Sequence, residues 1–163
     1  MTQAHGRSDA SIVTRRALHA PENMCEAYDY PRPSAFSRGL EAAWPGMRMI
    51  FISGTASVGP AGQTLHPGDF KAQARRAFEN VRAVLADAGA AWTDVVKVTV
   101  YLRDIGRDYA AFNEVRSAYF REAGIRTFPA STCVQALLCR EDLLVEMEAL
   151  AIVATRGPEE NTT

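Results

Sequence analysis

The chain has little that would tie it to a metal, to an oxidising compartment or to a polyanion. Its three cysteines, Cys25, Cys133 and Cys139, are an odd set in 163 residues, and Cys133 and Cys139 lie too far apart for a CxxC redox pair, so reduced thiols are expected. The three histidines, His5, His19 and His66, are scattered among tail, lead-in and turn residues. None is spaced with a Cys or a second His as a zinc site requires, and none is placed to serve a Ser/His/Asp triad. Neither a metal nor a cofactor is expected. Charge of one sign is also missing, because 18 Lys+Arg against 19 Asp+Glu leave a net charge of −1. No basic block exceeds Arg15-Arg16 or Arg75-Arg76, so neither nucleic acid nor an anionic membrane is an expected partner. No stretch approaches the roughly 18 unbroken apolar residues of a membrane span. Residues 1–11 carry no apolar core of a secretory signal, which makes the cytoplasm the expected compartment.

What is present is enough apolar sequence, 47% of residues, for one ordinary domain with a core of its own. The polar, aperiodic ends predict tails at 1–11 and 154–163 around a single domain at 12–153. Pro21, Pro31, Pro33 and Pro45 suit an irregular lead-in from Ala20 to Pro45, with a possible edge strand at Ser11 to Thr14. Met47 to Ser53 reads as a strand closed off by Gly54, Gly59-Pro60 and Gly62. From Asp69 to Ala88, Phe70, Ala74, Ala77, Phe78, Val81, Val84 and Leu85 repeat at three and four, predicting a helix with Asp69 at its start and Gly89 just past its end. Asp94 to Arg103 alternates as a strand, Asp108 to Glu122 has helical spacing, and Thr132 to Leu138 and Leu143 to Val153 read as two further strands. Both helices are expected on one side of one sheet, an α+β two-layer domain. The other sheet face, with Thr99, Tyr101, Glu146 and Glu148, is expected to form a subunit interface with pockets in it.

Glu146 and Glu148 share one face of a strand that otherwise reads as buried, and an unpartnered buried carboxylate is costly. They are either interface glutamates matched to Arg103 or Arg140, or a carboxylate with a raised pKa suited to acid/base work. In Phe128-Pro129-Ala130-Ser131-Thr132-Cys133, hydroxyl and backbone N–H groups can point into a cleft, but Ser131 has no nearby base. Cys133 reads as a small buried hydrophobe rather than a nucleophile. Ser53-Gly54-Thr55-Ala56-Ser57 could cradle an anion with its amides or form a plain turn.

Together, Ile50-Phe51-Ile52-Ser53-Gly54-Thr55, Gln73 through Val81, Val96 through Asp104, Phe128-Pro129-Ala130 and Val145-Glu146-Met147-Glu148-Ala149 resemble the YjgF/YER057c/Rid family over about residues 34–153. The resemblance implies a chorismate-mutase-like α+β fold and a homotrimer with a central barrel and three ligand clefts between subunits. Deaminating members of that family hydrolyse reactive enamines and imines and hold the substrate carboxylate with an arginine after the Pro-Ala pair. Here that position is Ser131, and Phe36 stands where such members carry a tyrosine. The Ser53-Gly54 loop, Cys133 and Glu146 are retained, and the resemblance implies Glu146 as general acid/base; Phe36, Ser53, Gly54, Tyr101, Arg103, Ser131, Thr132, Cys133 and Arg140 are the expected substrate-binding residues. A weaker similarity to chorismatases, through Phe36-Ser37-Arg38-Gly39 and Cys139-Arg140-Glu141-Asp142, implies that Arg103 or Arg140 replaces the missing arginine. The expected function is a small-molecule enzyme acting on an imine, enamine or enol-ether. A catalytically silent metabolite-binding trimer is the alternative, and ribonuclease activity comes third, because a neutral chain offers RNA little phosphate neutralisation.

Overall fold

Three strands, a helix, a strand, a second helix and two more strands follow one another in a computed structural model that describes residues 13–155. They are β1 Thr14–Leu18, β2 Gly39–Trp44, β3 Met47–Ala56, α1 Phe70–Asp87, β4 Val95–Leu102, α2 Ile105–Glu122, β5 Ala130–Gln135 and β6 Val145–Ala154. The strands form one mixed sheet in the order β1-β2-β3-β6-β4-β5. Neighbours are antiparallel except β4 and β5, which run parallel and are joined through α2, since a parallel pair needs a crossover connection. Both helices lie on one face, α1 against β3 and β6 and α2 against α1 and β4, as the α+β reading expects.

Period-two alternation decides which side chains face the helices. In β6, Val145, Met147, Ala149 and Ala151 are buried, while Glu146, Glu148 and Leu150 point to the open face. The core centres on Phe78 of α1, whose ring lies 4.9 Å from Tyr119, 5.3 Å from Trp92, 5.6 Å from Phe120 and 5.9 Å from Phe112, centroid to centroid. Two buried amides of α1 then lock the chain around the future site. Asn80 Nδ2 donates to Ala56 O and Val58 O, both at 2.9 Å. Gln73 Nε2 donates to Asp142 O at 2.8 Å, and its Oε1 accepts from Leu144 N at 2.9 Å. The end of β3 and the start of β6 are thereby fixed to one rigid helix, and the Val58 and Asp142 carbonyls and the Leu144 N–H, which would otherwise be orphaned, are satisfied.

Several boundaries depart from the sequence reading. The lead-in is not irregular throughout, since residues 39–44 form β2, an antiparallel hairpin with β3 around Gly46 at φ 85°. The edge strand runs Thr14–Leu18, and residues 11 and 12 of the strand expected at Ser11 to Thr14 lie outside the described residues. Helix α2 starts at Ile105, three residues earlier than its apolar spacing suggests, because the Asp104 side chain accepts from Arg107 N at 3.0 Å and caps it; such a cap sets a helix start independently of apolar period. β5 begins two residues early, and β6 carries through Ala154, the first residue of the expected C-terminal tail. The expected tail at 1–11 and residues 156–163 of the other lie outside the described residues.

Candidate active site

Glu146 is the second residue of β6, in the middle of the sheet and on its open face. It pairs with Ala56 of β3 on one side and Tyr101 of β4 on the other. Between Ile52 and Thr55 the β3 register shifts, and this bulge brings the Gly54 backbone up to the glutamate. A β-carbon on residue 54 would collide with Glu146 Oε1 and stand 3.1 Å from its carboxyl carbon. Gly54 is therefore the residue that makes room for the acid, a close approach that only glycine permits without displacing a neighbour. The bulge is pinned by Ser53 Oγ donating to Ser37 O at 2.7 Å, Ser53 N donating to Arg38 O at 3.1 Å, and Thr55 Oγ1 donating to Ser53 O at 2.7 Å.

The segment before β2 forms the opposite wall. Arg38 is 3% exposed. Its Nε donates to Cys25 O at 2.9 Å, its Nη2 to the same carbonyl at 2.5 Å and to the Tyr30 hydroxyl, and the guanidinium lies 5.1 Å from the Tyr30 ring centre and 5.5 Å from that of Phe36. Arg140 comes to the same tyrosine at 5.0 Å and donates to Gly62 O at 2.7 Å. Together these walls enclose a cleft of about 890 Å³ between the lead-in, the bulge and the start of β6, with Glu148 and Cys139 also on its rim.

Burial pushes the Glu146 carboxyl above its ordinary range, Glu148 pushes it further, and the Arg38 charge draws it back. The Tyr101 phenol is likewise raised, by desolvation first and then by Glu148 and Glu146. A half-buried acid that resists ionisation, facing a cavity, can give a proton to a ligand and recover it.

Of the residues singled out from sequence, Phe36, Ser53, Gly54, Arg140 and Glu146 come together in this cleft, and Tyr101 shares its sheet face. The structure does not bring the others to it. Arg103 donates through Nε to Leu143 O at 2.6 Å and through Nη2 to Arg140 O, which commits it to holding the 140–144 turn. Ser131 and Cys133 pair with Val98 and Val100 and so face the helices, the opposite side of the sheet from Glu146. There Ser131 Oγ accepts from Arg116 Nη1 at 3.1 Å, beside a second cavity of about 410 Å³ walled by Phe120, Phe128 and Pro129. Thr132 stays on the open face, where its hydroxyl accepts from Lys97 Nζ. Burial raises the Cys133 thiol while Arg116 opposes it.

Sequence reasoning missed Arg38, Tyr30 and Arg116. Arg38 sits inside a motif singled out for other reasons, but its place depends on contacts with Cys25 and Tyr30 that no local spacing announces.

A family model described as Endoribonuclease L-PSP matches residues 33–153. The chain belongs to this family. In it, the chain is 37% identical over 122 residues to a RutC family protein of Pyrococcus horikoshii, covering 74% of this chain and 90% of the relative. It is 38% identical over 104 residues to the 2-iminobutanoate/2-iminopropanoate deaminase of Escherichia coli, covering 64% of this chain and 79% of the relative. Among solved structures, E. coli TdcF with bound serine superposes with a TM-score of 0.70 at 29% identity, covering 85% of this chain and 98% of that one. The L-PSP family, which includes the YjgF, RutC and Rid proteins, is the one the sequence motifs resemble. Among the described residues, no helix is long and apolar enough to cross a membrane.

Proposed function

We propose that the protein hydrolyses a small imine, enamine or similarly polarised unsaturated metabolite in the Glu146 cleft, with Glu146 moving the proton. The carrying observation is the half-buried carboxyl seated over Gly54, held toward its protonated form by burial and by Glu148. In imine hydrolysis, water adds to the imine carbon, the C–N bond breaks and ammonia leaves. As water adds, the carboxyl would give a proton to the imine nitrogen and take one back from the water, leaving a carbinolamine. As that collapses, the same group would give a second proton to the departing amine and take one from the hydroxyl, so ammonia leaves, the 2-oxo product remains and the group ends as it began. The deaminase name of the E. coli relative supports this reaction class, and the serine bound to TdcF supports a ligand of amino-acid size. No metal or cofactor is required.

The active unit is a homotrimer, in which the cleft is completed by a second copy. Two observations support this. Glu146 and the pair Ser131 and Cys133 lie on opposite faces of one chain's sheet, so a single copy cannot offer them to one ligand. The open face also carries Leu40, Phe51 and Ile152, each more than a third exposed, a patch suited to burial against a partner. With Ser131 in place of an arginine, β5 offers no guanidinium fork to a carboxylate, so turnover of simple 2-imino acids is slower than in the deaminating relatives unless another cation takes over that role.

The test is to generate 2-iminobutanoate in situ with an amino-acid oxidase and follow release of the 2-oxo acid with and without the protein. Acceleration that disappears in Glu146→Gln is the expected result. Binding of imine analogues without any acceleration would replace the enzyme with a metabolite-sensing trimer.

A further inference from the structure

We infer that Arg38 is the anion anchor of the cleft, binding the carboxylate of the ligand on which Glu146 acts. The inference rests on the proposed imine chemistry for its choice of ligand, but its evidence is separate. Arg38 is a buried cation that forms no ion pair among the described residues; Glu146, near enough to feel its charge, is held toward its protonated form by burial. Its Nε and Nη2 are spent on the Cys25 carbonyl and the Tyr30 hydroxyl, whereas Nη1 has no hydrogen-bond partner among the described residues although the side chain lines the cleft. A guanidinium taken from water without a counter-charge is costly to hold. An anionic ligand that supplies both the charge and the missing acceptor offsets that cost, and the ring stacking on Tyr30 and Phe36 keeps the fork from swinging.

The other cations serve this role less well. Arg32 lines the cleft but is exposed to water, Arg140 is only half-buried and has engaged Nη1 with Gly62 O and Thr64 Oγ1, Arg103 is tied to two backbone carbonyls, and Arg116 lies across the sheet beside Ser131. Arg38 alone among them combines burial, an unspent nitrogen and a place beside Glu146. It supplies from the lead-in the positive charge that Ser131 does not supply from β5. A ligand seated this way would present its carboxylate to the lead-in wall and its reacting carbon toward the bulge, which is where Glu146 waits.

A matched pair of probes tests the assignment: 2-oxobutanoate, which is anionic, and 2-oxobutanamide, of nearly the same shape but neutral, both titrated calorimetrically. The unaltered protein should bind the acid at least about tenfold more tightly than the amide. Arg38→Gln should erase that preference while leaving amide binding in place, which a collapsed cleft could not do. Arg38→Lys keeps the charge but loses the bonds to Cys25 O and Tyr30 that aim it, and should retain only part of the preference. Glu146→Gln should keep the preference intact even as turnover is lost, so failure of the proton assignment and failure of the anchor are distinguishable. A preference that survives both Arg38 substitutions, or an unaltered protein that does not distinguish acid from amide, including one that binds neither, would overturn the anchor. If Arg38→Gln does not fold, the Arg38→Lys titration decides: acid affinity unchanged from the unaltered protein overturns the assignment, and a selective loss for the acid supports it.

Discussion

The carboxyl group of Glu146 occupies the space in which a side chain on Gly54 would begin, its Oε1 in the path of the missing β-carbon. The acid and the glycine lie on neighbouring strands, and the bulge between Ile52 and Thr55 sets their separation. The position of the proton-bearing group is therefore a property of the sheet, while its chemistry is a property of burial.

Gly54→Ala follows directly from this contact. The added methyl meets the far end of a side chain, which can swing, so stability should change by no more than about 1 kcal/mol. Turnover should nevertheless fall roughly a hundredfold, because displacing a proton-transfer group by about an ångström is enough to cost that much. Thermal unfolding and steady-state kinetics on the same preparation check it, and an active Gly54→Ala protein would separate the glycine from the acid's function.

Glu146→Gln should lower turnover by roughly a hundredfold or more, the range of a lost general acid or base. Its effect on stability has the opposite sign. Since burial holds the native carboxyl above its ordinary range, the folded protein keeps a proton that the unfolded chain has already released. Stability contributed by the protonated form is present at acid pH and is lost as pH rises from the ordinary glutamate range through the raised native value. Gln removes that loss, so the variant should match the parent in Tm at the acid end and exceed it at neutral pH. Melting curves across that window decide between an acid in a pocket and an interface partner, whose removal would lower Tm at neutral pH. Cys133→Ala should leave most activity, because burial holds that thiol toward its protonated form and, among the described residues, no base lies beside it to activate it.

Much of this arrangement is legible in the sequence, for reasons that differ by element. Helix α1 is written into the period of Phe70, Ala74, Phe78, Val81 and Leu85, and its start into Asp69, whose carboxylate accepts from Ala72 N at 3.0 Å. β6 alternates, so Glu146 and Glu148 are visible as acids on the open face. β2 is not legible, because Gly-Leu-Glu-Ala-Ala-Trp has neither alternation nor β-branched residues and becomes a strand only by pairing with β1 and β3. Arg38 is visible as a residue but not as a buried cation. Its burial comes from a carbonyl thirteen residues away and a tyrosine eight residues away, contacts set by how the lead-in folds back.

The two buried amides of α1 carry the next prediction. Asn80→Ala would leave the Val58 carbonyl without a donor, take one of two donors from Ala56 O, which also accepts from Val58 N, and open a small void, which should cost about 2–4 kcal/mol. Gln73→Ala should cost a similar amount and loosen the start of β6 as well, since Gln73 accepts from Leu144 N. Denaturant melts give the loss, and hydrogen exchange at Leu144 gives its location. A loss below about 0.5 kcal/mol in both would mean that water replaces the amides and that α1 does not fix the site.

The placement of Ser131 and Glu146 on opposite faces carries the last prediction. If a second copy completes each cleft, light scattering should give about three times the chain mass, and two inactive proteins should rescue each other when mixed. One carries Glu146→Gln. The other carries Ser131→Trp, whose bulk would block the β5 side of the cleft while leaving Glu146 intact. Each protein alone should be inactive. After unfolding and refolding together, mixed trimers contain clefts that draw Glu146 from one chain and an unblocked β5 from another. At equal amounts of the two, about a quarter of all clefts should be of this kind, and activity should recover to about that fraction of the parent. No recovery, with trimers formed and chains shown to exchange, would place the whole site within one chain. A stable monomer at micromolar concentration would remove the shared cleft altogether and leave the exposed Leu40, Phe51 and Ile152 without a partner.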